Sequence, residues 1–201
     1  MLPDSVLPDS ELMVVLQGLR ERGALGEASL PNAVRHAEAF LAAVPPSTRR
    51  VIDLGSGGGL PGLVLAVRLP HAEFVLTDRR ERRMDLLRLA CTRLGIAGRV
   101  SVITGDVVQL GRRVELAGSF DVVTARSFGD PGFLLRCALP FLAPTGVVVV
   151  SEPPNLATRP ADDPAVADRW PRETLAHLGL TLSAQMHPLV RRIEQVDAPA
   201  G

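Results

Sequence analysis

The sequence has no lysine and no tyrosine, so each of its 22 basic residues is an arginine. A phosphate-binding P-loop is therefore excluded, because it needs a Gly-Lys-Ser/Thr sequence. The Tyr/Lys proton relay of one large dehydrogenase class is excluded for the same reason. The 22 basic residues are balanced by 22 acidic ones, and this neutral charge does not favour strong nonspecific binding to nucleic acid.

Cysteines and long apolar runs are also scarce. Cys91 and Cys137 lie far apart in segments with a helical pattern, so we expect two buried thiols and no zinc, other metal or redox site. No apolar run reaches the roughly 18 residues of a membrane helix. The first residues form no basic region of the kind that opens a signal peptide. We therefore expect a cytoplasmic protein with no membrane among its partners.

Length and apolar periodicity predict one domain with a helical N-terminal extension. Residues 1–46 are predicted to form a helical extension, with one helix from Asp9 or Ser10 to Gly23 and another from about Asn32 to Val44. Residues 47–201 are predicted to form the main domain, with strands at 51–54, 73–77, 100–103, 120–124 and 146–150 and helices at 62–69, 80–94 and 133–142. A loop that has room for a short helix is predicted at 151–173, and a hairpin at 180–186 and 190–196. This order predicts an α/β, Rossmann-like, mostly parallel seven-stranded sheet with a C-terminal antiparallel hairpin.

A glycine-rich run follows the first predicted strand and precedes a helix. Its sequence is Asp53-Leu54-Gly55-Ser56-Gly57-Gly58-Gly59-Leu60-Pro61-Gly62, and this context is that of a nucleotide-binding loop. Glycines let the backbone turn tightly and approach a ligand closely. A tightly packed turn without a ligand is one alternative. A dinucleotide site is another, because Gly57, Gly59 and Gly62 fit a GxGxxG pattern.

Three aspartates at the ends of three successive strands favour S-adenosylmethionine as the cofactor. Asp53 can bind the ammonium of the methionine moiety, directly or through water, and would repel a pyrophosphate. Asp78 can accept both ribose hydroxyls, and Asp106 can accept the exocyclic amine of adenine. Each acid alone would be an ordinary cap or turn residue. The predicted cofactor-binding residues are Asp53, Gly55, Ser56, Gly57, Gly59, Leu60, Asp78, Arg79, Asp106 and Val107.

At this motif the chain resembles the glucose-inhibited division protein B (GidB) family, methyltransferases that act on guanine N7 of small-subunit ribosomal RNA. The run 53–62 carries the resemblance, and Arg35-His36, Thr77-Asp78, residues 120–126 and Arg191-Arg192 add to it. It covers about residues 33–196, with an interruption near 151–175. The resemblance implies the class I S-adenosylmethionine-dependent methyltransferase fold, this cofactor, and ribosomal RNA or the small ribosomal subunit as partner.

The chain departs from the family's pattern in regions that lie near the family's acceptor site. The family's N-terminal Trp-Asn and Asn-Leu-Thr region is absent, Ala39 stands where the family has Asp, and Ser151-Glu152 stands where it has Lys-Gly. A glutamate in the cleft would repel an anionic acceptor, so we expect weak activity on ribosomal RNA. A small-molecule acceptor and a noncatalytic S-adenosylmethionine- or RNA-binding module stay open as alternatives.

Arg126, at the end of the fourth strand, is the candidate catalytic residue, because this position faces the acceptor in such folds. A surface arginine is the alternative, and Glu152 is either a base or, as we favour, a loop residue. From Arg79 to Arg113 there are nine arginines against three acids, which indicates either a phosphate-facing patch or a solvated helix face. Phe128, Phe133 and Trp170 are the candidates for base stacking.

Overall fold

The computed structural model describes residues 9–153, 155–156, 159, 163–183 and 187–196. The helices are α1 (Asp9–Glu21), α2 (Leu30–Glu38), α3 (Gly62–Arg68), α4 (Glu81–Arg93), α5 (Val107–Leu110), α6 (Pro131–Ala138), α7 (Pro164–Arg169) and α8 (Arg172–His177). Short 3₁₀ segments, Ala39–Ala43 and Leu139–Phe141, extend α2 and α6. The strands are β1 (Arg50–Leu54), β2 (Glu73–Asp78), β3 (Val100–Thr104), β4 (Phe120–Ala125), β5 (Leu142–Ser151), β6 (Leu180–Leu182) and β7 (Val190–Gln195).

The seven strands form one sheet in the order β3-β2-β1-β4-β5-β7-β6. Strands β1 to β5 pair in parallel, whereas β7 runs antiparallel to both β5 and β6. The predicted fold class is therefore confirmed. Strand order reverses between β1 and β4, and in sheets of this kind ligands bind at the carboxyl ends of the strands beside such a reversal.

The predicted strands and the helices that precede β5 are confirmed with shifts at their ends, whereas α7 occupies the place that the predicted loop left for a short helix and α8 is not predicted. The helix predicted at 133–142 begins at Pro131, because Asp130 caps it by accepting a hydrogen bond from Phe133 N. The chain enters β5 at Leu142, four residues before the predicted start. The apolar pattern does not predict α5, a single turn capped by Asp106. Of the strand predicted at 180–186, residues 184–186 lie outside the described residues.

The sheet carries a hydrophobic cluster on each face. Along β5, Val147 and Val149 pack with helices α1 to α4, whereas Val148 and Val150 pack with α6 to α8. The two cysteines are buried, as predicted. In the described part of the chain, no helix combines the length and apolar character needed to cross a membrane.

The N-terminal helices share the core of the first face. Helix α1 buries its apolar stripe (Leu12, Val15, Leu16 and Leu19) in the same cluster as α3 and α4. Arg68 of α3 donates from Nε to Glu38 Oε1 at 2.9 Å, and its Nη2 lies 2.7 Å from Asp9 Oδ1. Both helices are thus held against the first crossover helix. The domain boundary at 46/47 stays a prediction.

A buried ionic cluster joins the end of β5 to the C-terminal region. Glu152 is 2% exposed, and its Oε1 accepts a hydrogen bond from Trp170 Nε1 at 2.7 Å. Its two oxygens lie 3.4 Å from Arg169 Nε and 3.8 Å from Arg191 Nε. Glu152 is therefore neither a base nor a charge in the cleft, and the expectation that it repels an anionic acceptor there is wrong. Trp170 is buried too, which removes it from the stacking candidates.

This cluster generates a stability prediction. Glu152→Gln keeps an acceptor for Trp170 but removes the carboxylate charge, which leaves Arg169 and the fully buried Arg191 uncompensated. We expect the free energy of unfolding in urea to fall by about 3–5 kcal/mol. Glu194→Gln is the matched control, because its ion pair with Arg192 is partly exposed and should contribute less than about 1 kcal/mol. Equal stability of the two variants would contradict the ionic role of Glu152.

Candidate active site

A cleft of about 540 Å³ opens at the carboxyl ends of β1, β2, β3 and β4. It brings together nine of the eleven predicted site residues: Gly55, Ser56, Gly57, Leu60, Asp78, Arg79, Asp106, Val107 and Arg126. Asp53 and Gly59 lie behind its wall, where both are buried. The sequence order of the strands thus gathers segments that are up to 71 residues apart into one site.

Asp53 connects the segments that form the wall of the cleft. It is fully buried, its Oδ1 accepts from Thr124 Oγ1 at 2.7 Å, and its Oδ2 accepts from Gly62 N at 3.2 Å. Burial raises the pKa of Asp53 to about 6, although the hydrogen bonds and the nearby charge of Arg126 oppose the shift. The predicted contact of Asp53 with a ligand ammonium, directly or through water, stays a prediction, and from behind the wall the carboxylate acts on the cleft through its charge.

The glycine loop is attached to β2 by backbone and hydroxyl hydrogen bonds. Ser56 N donates to Thr77 O at 2.8 Å, and Thr77 N donates to Ser56 Oγ at 3.1 Å. Gly55 and Gly57 have φ of 70° and 55°, a region that favours glycine. Gly59 also has positive φ, but a Cβ there would meet Leu63 and Leu87 in the core. Its role is therefore packing, in contrast to the predicted cofactor contact.

The two carboxylates that line the cleft are oriented by backbone donors. Asp78 accepts from Gly57 N at 3.1 Å with Oδ2 and from Arg80 N at 2.9 Å with Oδ1. Asp106 Oδ1 accepts from Val108 N at 2.9 Å and so caps α5. A carboxylate oxygen can accept more than one hydrogen bond. Both side chains are thus held in place with accepting capacity left for a ligand.

Arg126 follows β4, and its charge lies near that of Asp53 in the wall of the cleft. It is half-buried and lines the cleft. Burial lowers the pKa of Arg126, and the charge of Asp53 acts in the opposite direction. The next residue, Ser127, has φ of 54°, a conformation that costs energy for a residue with a Cβ. The chain therefore turns sharply at the point where Arg126 enters the cleft.

Several residues that line the cleft are not among the predicted cofactor-binding and catalytic residues. Arg80 and Arg83 lie on the first turn of α4, next to the predicted Arg79. The sequence signal for these two arginines was their position shortly after Asp78. Since residues three apart share a helix face, both can point to the same side as the cleft. Residues 24–26 come from the α1–α2 loop and cover the glycine loop, since a Cβ at Gly58 would lie 2.6 Å from Ala24 O. Nothing in the local pattern indicates that long-range contact.

The family model for rRNA small subunit methyltransferase G (GidB) matches residues 15–153, which include the second half of α1 and every segment that lines the cleft. The chain belongs to the GidB family. The match begins inside α1, so the helical region before β1 is part of what the family shares.

Individual relatives agree with this assignment. The ribosomal RNA small subunit methyltransferase G of Sorangium cellulosum is 39% identical over 101 residues, 50% of this chain and 41% of the relative. The enzyme of the same name from Kineococcus radiotolerans is 35% identical over 171 residues, 83% of this chain and 62% of the relative. The chain thus spans about half the length of the relatives it matches.

A solved structure supports the fold. The O-methyltransferase from Bacillus cereus in complex with SAH superposes with a TM-score of 0.68 at 20% identity, over 96% of this chain and 94% of that one. This likeness is one of fold. It agrees with the observed strand order and with the predicted class I S-adenosylmethionine-dependent methyltransferase architecture.

His36, of the GidB-like Arg-His pair in α2, lies close enough to Arg126 for the charge of Arg126 to affect it. Burial lowers the pKa of His36, and the charges of Arg126 and His187 lower it further. Three residues later Ala39, which replaces the family's Asp, is buried in the first core cluster. A carboxylate at that position would have to be buried, and alanine avoids this desolvation cost.

The first prediction for the site concerns the glycine loop. Gly57→Val places a branched side chain in the left-handed region at the cleft wall, so we expect loss of S-adenosylmethionine binding in a protein that still folds. Gly95→Val is the control, because its φ of 67° imposes similar strain while nothing lies within 4 Å of the added Cβ. Isothermal calorimetry on both variants measures the effect. Unchanged affinity in folded Gly57→Val would show that the loop does not line the cofactor site.

The second prediction follows from the pKa of Asp53, which is raised to about 6. As the pH falls through 6, the Asp53 carboxylate is neutralised, so the affinity for a ligand ammonium should fall. Because the glycine loop lies between the carboxylate and the ligand, we expect a decrease of about tenfold. Protonation of Asp53 between pH 6 and 4 does not destabilise the folded state, because the folded state binds this proton more tightly than the unfolded chain does.

The measurement is the Kd of S-adenosylmethionine from pH 5 to 8. Asp53→Asn should bind weakly over the whole range, and the exposed-site control Asp85→Asn should follow the wild-type profile. A wild-type affinity independent of pH, or an Asp53→Asn profile that keeps the pH dependence, would contradict the assignment.

Proposed function

We propose that the chain is an S-adenosylmethionine-dependent methyltransferase whose acceptor is guanine N7 of RNA in the small ribosomal subunit. The observation that carries the proposal is the cleft, in which the glycine loop, Asp78 and Asp106 follow three neighbouring parallel strands. Membership of the GidB family supports the acceptor. The SAH-bound structure of the same fold supports the cofactor.

The residues of the cleft suit this cofactor. Gly57 leaves room for a ligand to approach the backbone, whereas the ring of Phe128 covers Gly55. Asp78 offers two fixed carboxylate oxygens to a pair of ribose hydroxyls, and Asp106 offers an acceptor to an exocyclic amine. The buried charge of Asp53 attracts an ammonium group and repels a pyrophosphate, which favours S-adenosylmethionine over a dinucleotide.

Methyl transfer to guanine N7 requires the protein to position the base and needs no general base. When bound, S-adenosylmethionine supplies an electrophilic methyl group. Guanine N7 carries a free lone pair, so the protein must hold the base in line and need not remove a proton. Arg126 can donate to guanine O6, which would orient the base and leave the N7 lone pair free.

The arginines of the rim favour a polyanionic acceptor. Of the nine between Arg79 and Arg113, three are engaged elsewhere: Arg88 pairs with Asp85, Arg113 pairs with Glu115, and Arg99 donates to backbone carbonyls. Within the described residues, Arg79, Arg80 and Arg83 have no carboxylate at salt-bridge distance, and all three line the cleft. Unpaired guanidinium groups at the mouth of a cleft attract phosphates.

The experiment is transfer of a radiolabelled methyl group to competing acceptors. Small ribosomal subunits that lack the modification, total RNA and a small-metabolite extract are offered together, and the labelled product is digested to nucleosides. We expect label in 7-methylguanosine from the small subunit. Label confined to the metabolite fraction would refute the RNA acceptor and support the small-molecule alternative. Cofactor binding without any labelled product would support the noncatalytic alternative.

A prediction on Arg126 accompanies this assay. If its guanidinium orients the acceptor, Arg126→Ala should lower kcat by about 100-fold, since loss of a positioning contact costs of that order. The Kd of S-adenosylmethionine should stay within a few fold. Arg93→Ala, which removes an exposed arginine of α4 outside the cleft, is the control. Equal turnover of both variants and the wild type would show that Arg126 is a surface arginine and does not position the acceptor.

A further inference from the structure

The aromatic side chains of this protein are divided sharply by burial. It has only six phenylalanines and one tryptophan. Five of these seven are at most 2% exposed in the core: Phe40, Phe74, Phe120, Phe141 and Trp170. The other two, Phe128 and Phe133, stack on each other at the cleft, with ring centroids 6.2 Å apart and planes inclined by 10°. Phe133 is 43% exposed.

The backbone holds this pair rigidly. Phe128 lies between Ser127 and Gly129, whose φ values are 54° and 110°. Its ring packs on Gly55 so closely that a Cβ there would lie 2.9 Å from Phe128 Cδ2. Phe133 N donates to Asp130 Oδ1 at 2.8 Å, which fixes the first turn of α6. An exposed ring placed in this way is available to a ligand without first being ordered.

The position of the pair separates it from the cofactor's adenosine site. Asp78 and Asp106 follow β2 and β3, on one side of β1, whereas Phe128 and Phe133 follow β4, on the other side. Arg126 belongs to the same segment as Phe128. The stacked pair therefore lies on the side where an acceptor meets the cofactor, next to the cation that we assign to acceptor positioning.

We propose that the exposed part of Phe133, backed by Phe128, is the platform on which a purine base of the acceptor RNA stacks. The occupant is a nucleobase because the aromatic face offers stacking and the adjacent Arg126 offers a donor to a base edge, while Arg79, Arg80 and Arg83 on the β2 side of the same cleft offer charge to other phosphates of the RNA. A purely apolar partner would gain nothing from these unpaired cations. The inference rests on the proposed function, since it names the residue that holds that function's acceptor.

The test uses three variants of the full chain. Phe133→Leu keeps an apolar side chain but removes the aromatic face, Phe133→Trp keeps the face and adds a fluorophore, and Val14→Ala removes an exposed apolar side chain from α1 as the control. We expect Phe133→Leu to weaken binding of a single-stranded purine oligoribonucleotide and to raise the KM for the small subunit, each by about ten- to a hundredfold. Phe133→Trp should restore both, and cofactor affinity should not change.

Fluorescence gives a readout that does not depend on methyl transfer. The natural Trp170 is buried, so the added indole of Phe133→Trp should be the one that the RNA quenches. The same oligoribonucleotide with abasic nucleotides should not quench it. If the wild type methylates no RNA but this quenching occurs, the proposed function fails and the stacking site stands. If the wild type methylates RNA and Phe133→Leu is unaffected, the stacking site is refuted and the function stands. Quenching by S-adenosylmethionine alone, with weaker cofactor binding in Phe133→Leu, would also overturn the inference.

Discussion

The site depends on one buried carboxylate that has no ion-pair partner in contact among the described residues. Asp53 joins β1 to β4 through Thr124 and to the start of α3 through Gly62, while its own carbonyl accepts from Ser56 Oγ and Thr77 Oγ1 at 3.0 Å each. Burying a charge costs several kcal/mol unless hydrogen bonds offset the loss of water. These bonds offset it in part, so the pKa of Asp53 is raised to about 6 and its charge is sensitive to pH near neutrality.

The second buried carboxylate is stabilised in a different way. Glu152 has two arginines and an indole N–H around it, whereas Asp53 has neutral donors. The difference follows from position. Asp53 lies under the cleft in which we propose that a cationic group binds, and a tightly bound arginine there would cancel its charge. Glu152 faces the C-terminal elements, where the pairing anchors α7 and β7 to the end of β5. The glutamate that stands in the family's Lys-Gly position is therefore a charge inside the fold and not a charge in the cleft.

The fold could be predicted because its signals are local. Apolar strands that end in Asp or Gly and alternate with helices define the parallel sheet, and their carboxyl ends must meet at one edge. The details of the site depend on pairs that no local pattern connects. Thr124 lies opposite Asp53 because of the β1–β4 register, and Ala24 reaches Gly58 from a distant loop. The burial of Asp53 did have a signal, since side chains alternate along a strand and Val51, two residues earlier, faces the first core cluster.

The strand order also explains why one cleft can serve two ligands of different character. On the β2–β3 side, the lining groups are carboxylates held by backbone N–H donors, and they suit the hydroxyls and amine of an adenosine. On the β4 side, the lining groups are Arg126 and two stacked phenylalanines, which suit a flat base with hydrogen-bond acceptors on its edge. The glycine loop of β1 lies between them, with the charge of Asp53 beneath it. A cofactor bound across β1 to β3, as we propose, would have its reactive end toward β4, so the reversal of strand order would place the acceptor beside β4.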